Sequence, residues 1–349
     1  MLTQVPLFVS KRGGYGAYRI PALLSTSGGA VLAFCEGRVT GLDDSREIHL
    51  LMRRSRDNGR TWSAPEVIWK DNGNTCGNPC PVIDVDTGVI WLHLTWNLGT
   101  DTQTTIQAEE SAVTRRAFLS RSEDDGVTWS EPVDITASVK EPHWRWYATG
   151  PGVGIQLQSG ACRGRLIVPC DHSDHSGPGH HLHSHVIYSD DHGATWAIGG
   201  TLGEKTDECQ VVELADGTLH INMRSYHGAG CRAVAESRDG GLKWSPSRLE
   251  RSLPEPTCQA SLINYRQHSP NALLFSNPAA LTRDNMTVRL STDGGRTWPV
   301  ARTIHPGPSA YSCLGVLPDL TLGCLYECGA SSPYDTITFA RFDPDWLGG

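Results

Sequence analysis

SRDNGRTW, residues Ser55–Trp62, returns as SEDDGVTW from Ser122, SDDHGATW from Ser189, SRDGGLKW from Ser237 and STDGGRTW from Ser291. Only the fourth copy departs from the Ser-x-Asp-x-Gly-x-Thr-Trp pattern, with Lys243 where the others carry Thr. An Asp at the third position can accept from backbone N–H groups ahead of it. A Gly at the fifth tolerates positive φ, so each copy reads as a tight turn closed by a Trp packed beneath it. A calcium loop is the competing reading, because Glu123, Asp124 and Asp125 are contiguous. None of the five copies has the alternating ligands and distant bidentate Glu that such a loop needs. The turns therefore identify an architecture rather than a chemistry.

Between them lie short runs of Val, Ile, Leu and Thr at Ala30–Phe34, Val89–Trp96, Arg165–Val168, Thr218–Met223 and Ala272–Phe275. Each suits a strand, and helical periodicity is absent. The copies are 67, 67, 48 and 54 residues apart, the size of a four-stranded blade. The expected fold is an all-β, six-bladed β-propeller of four-stranded antiparallel blades. It needs roughly 58 residues per blade, with one blade lacking the signature. No linker composition divides the chain, so residues 1–349 are expected to form a single domain.

With 37 Gly and 21 Pro the chain is turn-rich, and its net charge of −8 argues against a nucleic-acid surface. No apolar run reaches membrane-spanning length, and residues 1–8 lack the features of a signal peptide. As numbered, the chain is expected to be cytoplasmic, or secreted if a leader has been removed. Eleven Cys leave at least one unpaired in a monomer and suit a reduced interior.

Function has to come from a site. The stretches YRIPALL, FCEGRVTGLDD, GNPCPVID, WRWYATGPG, DECQVVELADGTLHINMRS, LLFSNPAALTRDN, SAYSCLGVL and LGCLYE, in that order over nearly the whole chain, resemble the bacterial and animal sialidases. The resemblance implies a six-bladed propeller and retaining hydrolysis of terminal α-linked sialic acids. Its partners would be sialylated glycoproteins, glycolipids and oligosaccharides, with no cofactor and no metal. Carried over by position, Arg19, Arg224 and Arg283 resemble the triad that grips the substrate carboxylate, a task suited to planar guanidinium forks. Glu327 resembles the acidic partner of the first arginine, and Arg38 an additional arginine beside the pocket. Asn78 looks like pocket wall near the N-acyl group.

Tyr311 resembles the family's nucleophile and Glu208 the carboxylate that takes its proton. A neutral phenol avoids the repulsion that an anionic Asp or Glu would meet from a substrate carboxylate on the reacting carbon. Asp43, rather than the adjacent Asp44, matches the general acid and base. Cys76 and Cys80 form a C-x3-C pair with no second pair, poor evidence for zinc. The six His in residues 171–186 invite a metal, but alternation of His181, His183 and His185 also suits a polar rim over the cleft. Two other readings stand beside hydrolysis of common sialic acids: a trans-sialidase or a relative preferring deaminated sugar, and a non-catalytic carbohydrate-binding propeller.

Overall fold

The computed structural model describes residues 1–174 and 181–348. The regular structure of the described residues is nearly all strand, and helix is confined to single turns such as Gln103–Gln107 and Thr136–Val139. Strands pair antiparallel in chain order. Ala17–Ser25, Val31–Arg38, Ile48–Ser55 and Glu66–Trp69 form one run. Thr75–Ile83, Ile90–Asn97, Arg116–Ser122 and Val133–Asp134 form the next. Tyr147–Thr149, Leu166–Ser173, Leu182–Ser189 and Ala197–Thr201 follow, then Thr206–Glu213, Leu219–Ser225, Cys231–Ser237 and Arg248–Pro254.

The strand Val300–Val316 serves two runs. Its first half closes the run of Ser261–Asn264, Leu273–Pro278 and Asp284–Ser291. Its second half opens the run of Leu322–Cys328 and Thr336–Phe342, whose outer edge is Leu2–Val9 from the other end of the chain. All five of the apolar runs read from the sequence fall on strands.

Each repeat turn sits at the end of the third strand of its run. In the first copy Asp57 accepts from Thr61 N at 2.8 Å and Thr61 Oγ1 at 2.6 Å, while Ser55 Oγ accepts from Gly59 N at 2.8 Å. The fourth copy keeps the backbone bond, Lys243 N to Asp239 at 2.9 Å, and has no hydroxyl to offer in place of Thr. The indoles of Trp62 and Trp196 donate back to the carbonyls of Gly59 and Gly193 at 3.1 and 3.0 Å, as expected of a Trp packed under its own turn. At Gly193 φ is 88°, and a Cβ there would lie 2.2 Å from the Trp91 ring of the preceding run. The turns thus also clamp neighbouring sheets together.

Apolar side chains collect between successive runs. Ala22, Leu50 and Met52 of the first pack with Ile90, Leu92 and Leu94 of the second. Leu23, Val31 and Ala33 of the first pack with Leu325 and Phe339 of the last. Each of these larger side chains, the alanines aside, contributes about 1.5–3 kcal/mol relative to exposure.

Candidate active site

The first strands of four runs carry Arg19, Asn78, Glu208 and Tyr311, and each is irregular there. Pairing registers shift between Arg19 and Ala22, Gly77 and Cys80, Thr206 and Cys209, and Ser309 and Ser312. These interruptions bracket Ile20, Asn78, Glu208 and Tyr311. A bulge bends a strand and re-aims a side chain that regular pleating would bury or send across the sheet. Ile20 and Asn78 adopt φ of 62° and 53°, conformations that cost a non-glycine residue energy and persist only where surrounding contacts enforce them. Glu327 is one such contact, because its Oε1 accepts from Ile20 N at 2.9 Å.

These strands wall a cleft of about 260 Å³. Arg19, Arg38, Asn78, Glu208, Arg224, Arg283 and Tyr311 all line it. Glu327 lies fully buried behind it, bonded to Arg19 Nε at 2.7 Å and to the Tyr311 backbone N–H at 3.1 Å. One carboxylate therefore fixes the first arginine and the backbone of the tyrosine together. The Arg19 guanidinium lies 4.9 Å from the centroid of the Tyr311 ring, and that of Arg283 5.6 Å. Arg283 Nη1 donates to Tyr334 Oη at 2.6 Å, a residue for which the sequence offered no signal.

Arg224 Nη1 donates both to Glu208 Oε2 at 2.8 Å and to Tyr311 Oη at 3.1 Å. Burial raises the Glu208 carboxyl, Arg224 opposes this, and the net shift is upward. Burial also pushes the Tyr311 phenol well above its ordinary value. The Glu208 charge adds to that rise, while Arg224 and Arg19 offset part of it. The resting pair is a neutral phenol hydrogen-bonded to a strengthened base.

Asp43 is not where the sequence reading put it. Its carboxylate pairs with Arg46 Nε at 3.1 Å, is largely exposed and does not line the cleft. Asp44 lines it instead, 2.7 Å from Arg38 Nη1 and 4.0 Å from Arg19 Nη1. The cause is local. The loop between Val31–Arg38 and Ile48–Ser55 is pinned by Arg38 Nη1 on the Leu42 carbonyl at 2.5 Å and by Thr75 Oγ1 on the Arg46 carbonyl at 2.8 Å. Between those pins the chain turns the second carboxylate of the pair inward. Desolvation beside the cleft works against the Asp44 charge even though its side chain stays 65% exposed, but Arg38 and Arg19 outweigh it and hold the carboxyl below its usual range.

Asn78 is fixed from several sides. Its backbone N–H donates to Glu36 Oε1 at 2.9 Å, and its side-chain oxygen accepts from Thr95 Oγ1 at 3.2 Å and from Arg115 Nη2. Arg115 is 2% exposed and was missed, because the RRAF motif around it looks like a strand start with surface charge. Asp171 and Trp146 also line the cleft without having been singled out as site residues.

The histidine expectation is corrected. His175 and His180 lie outside the described residues. His183 and His185 do alternate on the strand Leu182–Ser189, but neither they nor His181 line the cleft. His172 stacks on Trp144 with centroids 3.5 Å apart and meets His185 through their Nδ1 atoms at 3.0 Å. Burial holds His172 far below its usual range and His185 at about 3, so both are neutral aromatic core. Among the described residues, the potential ligand group with suitable spacing is Asp84, Asp86 and His192. Asp84 there is satisfied by His192 Nδ1 at 2.9 Å, Thr87 Oγ1 at 2.8 Å and Gln156 Nε2 at 2.9 Å. No helix among the described residues is long and apolar enough to cross a membrane.

A family profile described as a BNR repeat-like domain matches residues 29–324. A sialidase of Micromonospora viridifaciens is 38% identical over all of this chain and 55% of its own length, so the chain spans little more than half of that relative. Sialidase-2 of Rattus norvegicus is 32% identical, with 93% of this chain and 92% of the relative covered. Among solved structures, the Hadza microbial sialidase Hz136 is 33% identical, with a TM-score of 0.88 over 99% of this chain and 69% of that one. The profile spans all five repeat turns and these relatives cover nearly the whole chain, and the chain belongs to the sialidase family.

Proposed function

We propose that the chain is an exo-α-sialidase that hydrolyses terminal α-linked sialic acids from glycoconjugates with retention, through a tyrosyl intermediate. We read its antiparallel runs as six four-stranded blades of a closed propeller. The apolar layer joining the first run to the last supports this. The observation that carries the functional reading is the Arg224 bridge between Glu208 and Tyr311, with Arg19 and Arg283 over the same ring. Three cations around a neutral nucleophile suit a substrate whose reacting carbon bears a carboxylate.

In this mechanism Glu208 takes the phenolic proton as Tyr311 Oη bonds to the anomeric carbon. The glycosidic bond breaks, and its oxygen receives a proton from the carboxyl that the loop after Val31–Arg38 turns into the cleft, Asp44. That carboxylate then removes a proton from water, whose oxygen displaces Tyr311, and the phenolate recovers its proton from Glu208. Asp44 is the carboxylate in the cleft, ion-paired to Arg38. An incoming carboxylate competes for Arg38 and Arg19 and adds negative charge nearby. Both effects raise Asp44 toward the protonated form the step requires.

The test is cleavage of a fluorogenic α-sialoside, with a deaminated analogue alongside, by folded protein from acidic to neutral pH. Release of fluorophore is expected. Failure on both substrates would overturn the assignment.

A further inference from the structure

The strand Leu166–Ser173 brings into the cleft an acid that the reaction above does not use. Asp171 pairs in register with Ala148, and both line the cleft. Asp171 is 1% exposed, and neither of its carboxyl oxygens meets a hydrogen-bond partner of ordinary donor type among the described residues. What faces it across the packing is acidic: Asp207 and Glu208 of the strand Thr206–Glu213, with Asp207 close enough to share a hydrogen bond. The cation on that side, Arg115, is spent on Asn97 Oδ1 at 2.7 Å, Thr95 Oγ1 at 2.8 Å and Asn78. Tyr147, Cys170, Cys209 and Tyr226, the other titratable neighbours, are each raised by burial and are neutral.

Two acids can share a hydrogen bond only if one carries a proton, and a buried carboxylate lacking donors takes one up. Burial first, then the charges of Asp207 and Glu208, push the Asp171 carboxyl well above the ordinary range. Glu208 keeps the Arg224 bond that stabilises its charge, so the proton settles on the Asp171 side of the cluster.

We propose that Asp171 is a further specificity-determining residue, a neutral carboxylic acid on the wall it shares with Arg115 and Trp146 that hydrogen-bonds an uncharged oxygen substituent of the sugar, a hydroxyl or an acyl oxygen. The arginines read the substrate's charge. Asp171 reads a neutral group, and it does so beside Glu208 without adding a further negative charge that would weaken the hold on an anionic sugar. The proposal rests on the sialidase reading above.

The experiment has two arms. Infrared difference spectra of wild type against Asp171→Asn at pH 7 should show the carbonyl stretch of a protonated carboxyl lost in the variant, whether or not the protein cleaves anything. A carboxylate band lost in its place overturns the proposal. The second arm compares Asp171→Asn and Asp171→Leu on the N-acetyl and deaminated α-sialosides. A lost neutral hydrogen bond predicts about three- to tenfold higher KM for the Leu variant, with kcat changed less. The Asn variant, which keeps a donor and an acceptor, should recover most of that loss. It should also lose the alkaline fall in kcat/KM that ionisation of Asp171 imposes. Loss on one sugar alone assigns the contact to the substituent in which the two differ, and loss on both assigns it to a shared hydroxyl. Unchanged KM in a folded Leu variant overturns the proposal. A wild-type chain that cleaves neither sugar while showing the protonated carboxyl overturns the sialidase reading and, with it, the assigned ligand, and leaves the neutral acid established.

Discussion

The Tyr311 hydroxyl has to lose its proton as it attacks, and its burial beside Glu208 makes that loss costly without a base. Tyr311→Phe keeps the ring under Arg19 and removes the attacking oxygen, so the folded variant should lose at least about a hundredfold in kcat. Wild-type turnover would remove Tyr311 from the reaction. Glu208 works ionised and its carboxyl is raised, so activity should fall with acid around a pKa above the usual carboxylate range. A kcat/KM profile flat down to pH 4 would contradict this. Arg283→Lys keeps the charge and loses the planar fork that reaches Tyr334, and it should weaken substrate binding by about 2–5 kcal/mol. Near-normal KM in the folded variant would take Arg283 out of the carboxylate site. Asp43→Asn and Asp44→Asn separate the acid pair when an activated and an unactivated leaving group are compared. The residue that donates the proton shows the larger loss on the unactivated substrate, and the geometry gives that signature to Asp44. Finding it on Asp43 would mean that the loop turns by one residue when substrate binds. The arginines, Glu208 and Tyr311 were legible because each sits in a short motif on a strand or, for Arg283, immediately before one. The choice between Asp43 and Asp44 was not, because hydrogen bonds from Arg38 and Thr75, distant in sequence or across the loop, decide which side chain turns inward. Asp171 and Arg115 stayed hidden because their roles arise from burial, and a sequence shows only their charge.

Repeat turns are the elements that the sequence described best, since the Ser, Asp and Thr bonds that shape each copy lie within eight residues. They predict opposite and unequal effects at two positions. Lys243→Thr supplies the hydroxyl that bonds Asp57, Asp124, Asp191 and Asp293 in the other copies. At so exposed a turn it should stabilise by only a few tenths of a kcal/mol, below a typical buried bond. Gly193→Ala places a methyl 2.2 Å from the Trp91 ring at a φ of 88° and should cost at least about 2 kcal/mol. Urea midpoints of the two variants check both. A Gly193→Ala protein as stable as wild type would mean that the turn does not clamp its neighbour. The histidine-rich strand was misread at this scale. Alternation correctly placed His183 and His185 on one face, but which face meets the cleft depends on the run that packs against it: Trp144 and Tyr147 cover the His185 ring, and His172 stacks on His183.

Pairing of Leu2–Val9 with Thr336–Phe342 explains why one run has no repeat turn: its outer strand arrives from the far end of the chain, so no third-to-outer connection exists there. The sequence spacing predicted a run without a copy, and the reason lay in a contact more than 300 residues long. At the same scale, Asp171 couples folding to pH. The unfolded chain releases this proton near pH 4 and the folded chain retains it, so folding takes up a proton and stability falls as pH rises above about 4, by up to about 1.4 kcal/mol per unit until the folded pKa is passed. Asp171→Asn removes the penalty. It should exceed wild type in stability at pH 7 and converge with it at acid pH, and the reverse order in urea titrations would contradict a neutral Asp171. The central claim is that Tyr311 attacks the anomeric carbon and is displaced by water, and NMR of the first sugar released tests it most directly. Two inversions predict an α product that only later equilibrates to the β form, whereas a product that is β from the outset would exclude the tyrosyl intermediate.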